Sequence, residues 1–183
     1  MTRDEALKIL QEYTHGENLL KHAYAVEAAM RAYAAKLGED ADYWGNAGLL
    51  HDFDWEVHPQ LPDHPLKGAD ILRARGIAEG LIQDILAHAP FTGVARESLV
   101  RKAIFAVDEL TGFIIATALV RPSRSLADLE AKSVRKKMKD KSFAAAVNRE
   151  DIVQGAQELG AELGEHIQFV IDAMKTVAGE LGL

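Results

Sequence analysis

Apolar residues recur along this chain at spacings of three and four, and strict apolar–polar alternation is nearly absent, so the pattern predicts helices and no sheet. A first segment runs from about Asp4 to Tyr13, with Leu7, Leu10 and Tyr13 on one side. A longer one spans about Glu17 to Leu37, with Leu19, Val26, Ala29, Met30 and Tyr33 in its stripe and Gly38 to close it. The third, from Asp40 or Asp42 to about Asp52, carries Trp44, Ala47, Leu50 and His51. Pro59 and Pro62 make Phe53 to Asp63 a loop, and His64-Pro65 opens a helix that ends at Gly76. Ala78 to His88 is again periodic and stops before Pro90, and a long apolar helix follows from Ser98 to about Val120. Ser125-x-x-Asp128 and Asn148-x-x-Asp151 read as helix starts, each with a capping side chain and an acid in the first turn. The last patterns run from Asp151 to Leu159 and from Ala161 to Leu181.

These elements predict an all-α, single-domain helical bundle over residues 1–183, with a core at about 17–120 and helices of about 125–183 packed on it. The net charge of −7 keeps such a protein soluble and argues against general nucleic-acid binding, which selects basic surfaces. With no cysteine in the chain, any metal must take nitrogen and oxygen ligands. The start, MTRDEALKIL, reads as an amphipathic helix and not a signal peptide, and the apolar run Phe113 to Val120 is too short for a bilayer. No membrane partner and a cytoplasmic location are the resulting expectations.

Seven histidines make their placement informative. His22 falls on the inner stripe with Leu19, Val26 and Ala29, where an imidazole needs partners for its nitrogens. His51-Asp52 ends an apolar helix and offers a mixed nitrogen–oxygen ligand pair. Asp108 lies in the apolar run Ala103 to Val107, where a carboxylate must be paired, neutralised or metal-bound. His88 shares a stripe with Leu81 and Ile85, and His64 sits at a helix cap before Pro65. Taken singly, each has an ordinary structural explanation; together they suggest a metal site.

The order His, then His-Asp, then a distant Asp, carried by LLKHAYAVEAAM, LLHDFDWE and AIFAVDELTG, resembles the HD-domain superfamily of metal-dependent phosphohydrolases. That resemblance implies an all-α core in which His22, His51, Asp52 and Asp108 bind a divalent metal. HPLKGADILRARG followed by ILAHA resembles the branch with two additional metal-binding histidines, which includes diadenosine tetraphosphate hydrolases and cyclic-dinucleotide phosphodiesterases. By that analogy His64 and His88 hold a second ion, with Asp52 bridging the two. Ala89 stands where the cyclic-dinucleotide branch often has a further histidine, and the glycine-tyrosine-proline motif of that branch is absent.

The resemblance implies hydrolysis of a small phosphate ester or nucleotide by a metal-activated water, with iron or manganese as first choices and magnesium, nickel, cobalt or zinc as others. Asp52 is then both ligand and catalytic residue. Lys67, one turn after His64, is expected to meet a phosphate, and Asp54 and Glu56 to serve as base, proton shuttle or support for a ligand. Arg121 and Arg124 are candidate bidentate phosphate contacts. The segment from Lys132 to Lys141 holds six cations and one acid, and reads as an anion funnel or a solvated face. Two other readings stay open: an HD-fold di-iron oxygenase cleaving a C–H or C–P bond, and a non-catalytic nucleotide-binding module.

Overall fold

The computed structural model describes all of residues 1–183 and contains ten α-helices and no strand. They are α1 (Arg3–Tyr13), α2 (Glu17–Leu37), α3 (Ala41–Leu50), α4 (Asp63–Ala74), α5 (Glu79–Leu86), α6 (Leu99–Leu119), α7 (Ala131–Met138), α8 (Arg149–Glu158), α9 (Leu163–Lys175) and α10 (Ala178–Leu181). No helix is long and apolar enough to cross a membrane.

Local chemistry sets most of the boundaries. Thr2 and Glu5 form a reciprocal capping box at the start of α1, and the Asp40 carboxylate accepts from the amides of Asp42 and Tyr43 to start α3. Gly38 ends α2 at φ +75°, a conformation that a side chain would strain. Asn148 caps α8 through the amides of Glu150 and Asp151, as its sequence signature predicts.

The helices α2, α3 and α6 form the centre of the bundle. Gly48 lets α3 lie close on α2, since a Cβ there would stand 3.0 Å from Met30 Cγ and 3.1 Å from the Val26 carbonyl oxygen. At Gly155, α8 presses on α6 so closely that a Cβ would meet Ala106 Cα at 2.5 Å. The later helices belong to the same core: Ile152, Ile167, Val170, Ile171 and Met174 join Leu50, Ile104, Leu110 and Phe113 in one buried cluster. Each such fully buried aliphatic side chain stabilises the fold by roughly 2 kcal/mol.

Two expectations about the later segments need correction. Ser125-x-x-Asp128 does not start a helix. Ser125 Oγ accepts the Ala127 amide, and Asp128 is engaged by Arg121 and Ser123, so these side chains stabilise a turn and α7 begins only at Ala131. The stretch Ala161 to Leu181 divides into α9 and α10, with Thr176 Oγ1 donating back to the Ala173 carbonyl where α9 ends. The basic segment is helical as far as Met138, and Val134 is the one buried residue of α7.

Candidate metal centre

Each candidate ligand is placed by a different element. His22 lies in α2, His51 is the residue that ends α3, Asp52 follows in the next turn, and Asp108 is midway along α6. His64 heads α4 in extended backbone geometry before the regular turns begin at Pro65, and His88 lies just beyond the end of α5. The fold brings all six together as two adjoining groups: His22, His51, Asp52 and Asp108, and Asp52, His64 and His88.

Asp52 links the groups through its two oxygens. Its Oδ2 is 3.4 Å from His51 Nε2 and 3.8 Å from His22 Nε2, while its Oδ1 is 3.2 Å from His64 Nε2 and 3.4 Å from His88 Nε2. Asp108 Oδ1 completes the first group at 3.0 Å from His22 Nε2 and 3.4 Å from His51 Nε2. His51, His64 and His88 are buried, whereas the side chains of His22, Asp52 and Asp108 are 18–22% exposed, so the first group opens to solvent.

The other ring nitrogens decide what these histidines can do. His51 Nδ1 lies 2.7 Å from the Gly48 carbonyl oxygen, and His88 Nδ1 lies 2.7 Å from that of Ile85. A carbonyl only accepts, so both Nδ1 atoms carry the hydrogen, and in the neutral ring Nε2 keeps its lone pair. His64 Nδ1 donates in the same way to Asp54 Oδ1 at 2.8 Å. The Thr111 hydroxyl donates to the Asp108 carbonyl at 2.9 Å, which leaves its oxygen to accept from His22 Nδ1 at 3.4 Å. All four Nε2 lone pairs therefore point inward.

Two such nitrogens cannot bond to each other, yet His22 and His51 Nε2 stand 3.1 Å apart, and His64 and His88 Nε2 stand 3.3 Å apart. Only a shared cation or an added proton reconciles them. Donors about 2.1 Å from a common ion are separated from one another by roughly 3.0–3.4 Å, so the spacing suits a metal. The donor set is imidazole and carboxylate, appropriate to iron, manganese, zinc, nickel or cobalt. Electrostatics agree. Burial alone would lower the His51 pKa, but the Asp52 and Asp108 carboxylates outweigh it and push that pKa well up. Burial likewise opposes a charged His64, yet Asp52 and Asp54 raise its pKa to about 9. The carboxylates thus demand positive charge at this place.

Asp54 is wholly buried behind His64, with its second oxygen accepting the Gly68 amide at 2.9 Å. Both oxygens are engaged away from the opening, a geometry that does not suit a base acting on substrate and that matches the third expected role, support for a ligand. Glu56 is likewise remote in role: one of its oxygens accepts the amides of His15 and Gly16 and fixes the entry to α2. Lys67 is exposed on α4 and forms no ion pair. Arg121 and Arg124 do not come to the site, because Arg121 follows Asp108 by thirteen residues, roughly 20 Å along a helix axis. Arg121 instead binds the Asp128 carboxylate at 2.6 Å, and Arg124 is an exposed residue of the same turn. Residue patterns did not point to Thr111 or to the carbonyls of Gly48 and Ile85. Thr111 is visible only as a hydroxyl three residues after Asp108, and the carbonyls leave no mark in a sequence.

Comparison with known proteins agrees with this geometry. The family model described as HD domain matches residues 19–112. Among curated relatives, Ribonuclease Y of Thermotoga maritima is 34% identical over 82 residues, 44% of this chain and 16% of that protein. Ribonuclease Y of Nitratidesulfovibrio vulgaris is 40% identical over 73 residues, 39% of this chain and 14% of the relative. The protein of the same name from Desulfotalea psychrophila is 28% identical over 184 residues, 92% of this chain and 34% of the relative. The chain therefore spans about a third or less of the length of these relatives. No solved structure matches. With its histidines and aspartates converging as described and the match covering half its length, the chain belongs to the HD-domain superfamily of metal-dependent phosphohydrolases.

Proposed function

We propose that this chain hydrolyses a small phosphate ester or nucleotide at a site built for two divalent ions, iron or manganese foremost. The observation that carries this reading is the division of Asp52: one carboxylate oxygen faces each histidine group, and every Nε2 in both groups turns inward. When bound, the ions supply charge neutralisation for phosphoryl oxygens and a water acidified towards neutrality.

The chain's own residues do the rest. His51, His64 and His88 are held from behind by Gly48, Asp54 and Ile85, so their orientation is set before any substrate arrives. His22, Asp52 and Asp108 line the side that solvent reaches, which is where a phosphate would enter. Lys67, exposed on α4 one turn after His64, is the cation we assign to a non-bridging phosphate oxygen. The ribonuclease name carried by the relatives supports a phosphoester substrate of nucleotide type, though those names belong to much longer proteins.

The test is elemental analysis of protein purified without chelators, beside Asp52→Ala, followed by phosphate-release assays on phosphoesters. About two equivalents of metal, lost in the variant together with metal-dependent phosphate release, are expected. Protein that holds no metal even after reconstitution would overturn the reading.

A further inference from the structure

The segment that joins the two ligand groups carries an aromatic side chain that offers no metal-ligating atom. Trp55 follows Asp54, and its indole and the His64 imidazole pack in a T-shaped pair, with ring centroids 4.8 Å apart and planes at 83°. Its backbone is fixed: the Trp55 amide donates to the Asp52 carbonyl at 3.0 Å, and the Asp54 carbonyl accepts from the amides of Val57 and His58. Trp55 is thus built on a rigid turn whose other members are a ligand and the residue that positions a second ligand.

The indole that this turn carries is nonetheless left 37% exposed. Isolated exposed apolar residues need no explanation. Here, however, Val57, Leu61 and Leu66 are exposed in the same connector and at the head of α4, and Phe91 is exposed three residues after His88. Large apolar side chains on display therefore gather in the segments flanking the His64 and His88 ligands. The chain's other tryptophan, Trp44, is only 3% exposed and belongs to the core. A half-exposed aromatic ring on a hydrogen-bonded turn, in contact with a candidate ligand, suits a substrate with a flat aromatic part next to its phosphate.

We infer that Trp55 is the specificity-determining residue of the site, stacking the base of a nucleoside phosphate whose phosphate lies at the His22–Asp52–Asp108 opening. This inference rests on the phosphohydrolase reading above. Stacking of a base on an aromatic side chain strengthens binding by about tenfold or more.

The experiment uses the full chain loaded with manganese and the Trp44→Phe background, so that Trp55 is the sole indole. Adenosine monophosphate, ribose 5-phosphate and inorganic phosphate are titrated while tryptophan emission is followed, with calorimetry on the same protein. The expected result is quenching by adenosine monophosphate alone, and binding about tenfold or more tighter than that of ribose 5-phosphate. In Trp55→Ala that preference disappears, and Trp55→Phe restores part of it. Equal affinity of the two sugar phosphates for the parent protein overturns the stacking role while leaving the phosphate site standing. If none of the three phosphates binds the metal-loaded protein, both the inference and the phosphohydrolase reading fail.

Discussion

The Asp54 carboxylate accepts the Nδ1–H of His64 at 2.8 Å, and this single bond turns His64 Nε2 towards Asp52 and His88. A carboxylate behind a ligating imidazole fixes its tautomer and raises its basicity. Replacing Asp54 with Asn keeps one acceptor but sets an amide group against the Gly68 N–H or the His64 Nδ1–H. Metal affinity of the His64–His88 group is expected to fall about 10- to 100-fold, with the His22–Asp108 group little changed. Competition titration with a fluorescent chelator measures both; equal loss at both groups would contradict the assigned role.

Gly68 is tied to the same carboxylate. A Cβ there would stand 2.6 Å from Asp54 Cγ and 2.7 Å from Oδ2, and Asp54 is fully buried and hydrogen-bonded through both oxygens. Gly68→Ala should therefore displace Asp54 and cost about 1–3 kcal/mol of stability. Metal content of the folded variant should drop from about two equivalents to about one. Unchanged stability and stoichiometry would show that the contact relaxes without consequence.

Thr111 acts on the other group. Its hydroxyl receives His22 Nδ1–H and passes its own hydrogen to the Asp108 carbonyl. Thr111→Val keeps the shape but removes both bonds, in a residue that is fully buried. Metal affinity at the His22–Asp108 group should fall by about tenfold, and the His64–His88 group should be spared. Circular dichroism that matches the parent would separate this effect from misfolding.

A histidine outside the site supplies a pH dependence. Buried His166 donates from Nε2 to the Ala106 carbonyl at 3.0 Å and accepts the Tyr33 hydroxyl on Nδ1 at 2.5 Å. Burial lowers its pKa, the Ala106 bond opposes that, and Lys36 lowers it further. The unfolded chain then takes up a proton on acidification before the folded protein does. Stability from this group is present in full above the ordinary histidine pKa of about 6.5 and is lost as pH falls through it towards the depressed value. His166→Gln cannot titrate, so parent and variant should differ most in slope just below pH 6.5, by at most about 1.4 kcal/mol per pH unit. Denaturant midpoints of apo-protein at a series of pH values give the two slopes, and parallel curves would rule the effect out.

Much of the scaffold was legible because helical periodicity and caps are local. The stripe from Leu19 to Tyr33, the acid that starts α3 and Asn148 ahead of α8 each act within a few residues, and each gave the helix that its pattern predicts. The Ser125 signal failed for the same reason: a capping side chain stabilises a turn as readily as a helix start, and Arg121 drew Asp128 into the turn.

By itself the sequence determined that the protein is helical and which six side chains are chemically fit to gather as ligands, because residue type and order are written in it. Tertiary structure decided what stands behind each ligand and which charges stay away. Gly48 and Ile85 contribute only backbone carbonyls, Thr111 meets His22 across two helices, and Asp54 is turned inward by Gly68. Arg121 is kept distant by the length of α6, and Trp55 is pressed against His64 by the turn that bears it. Contacts between elements depend on how closely helices approach and which face each presents, and at Gly48 and Gly155 that approach is set by a missing side chain and the backbone opposite it.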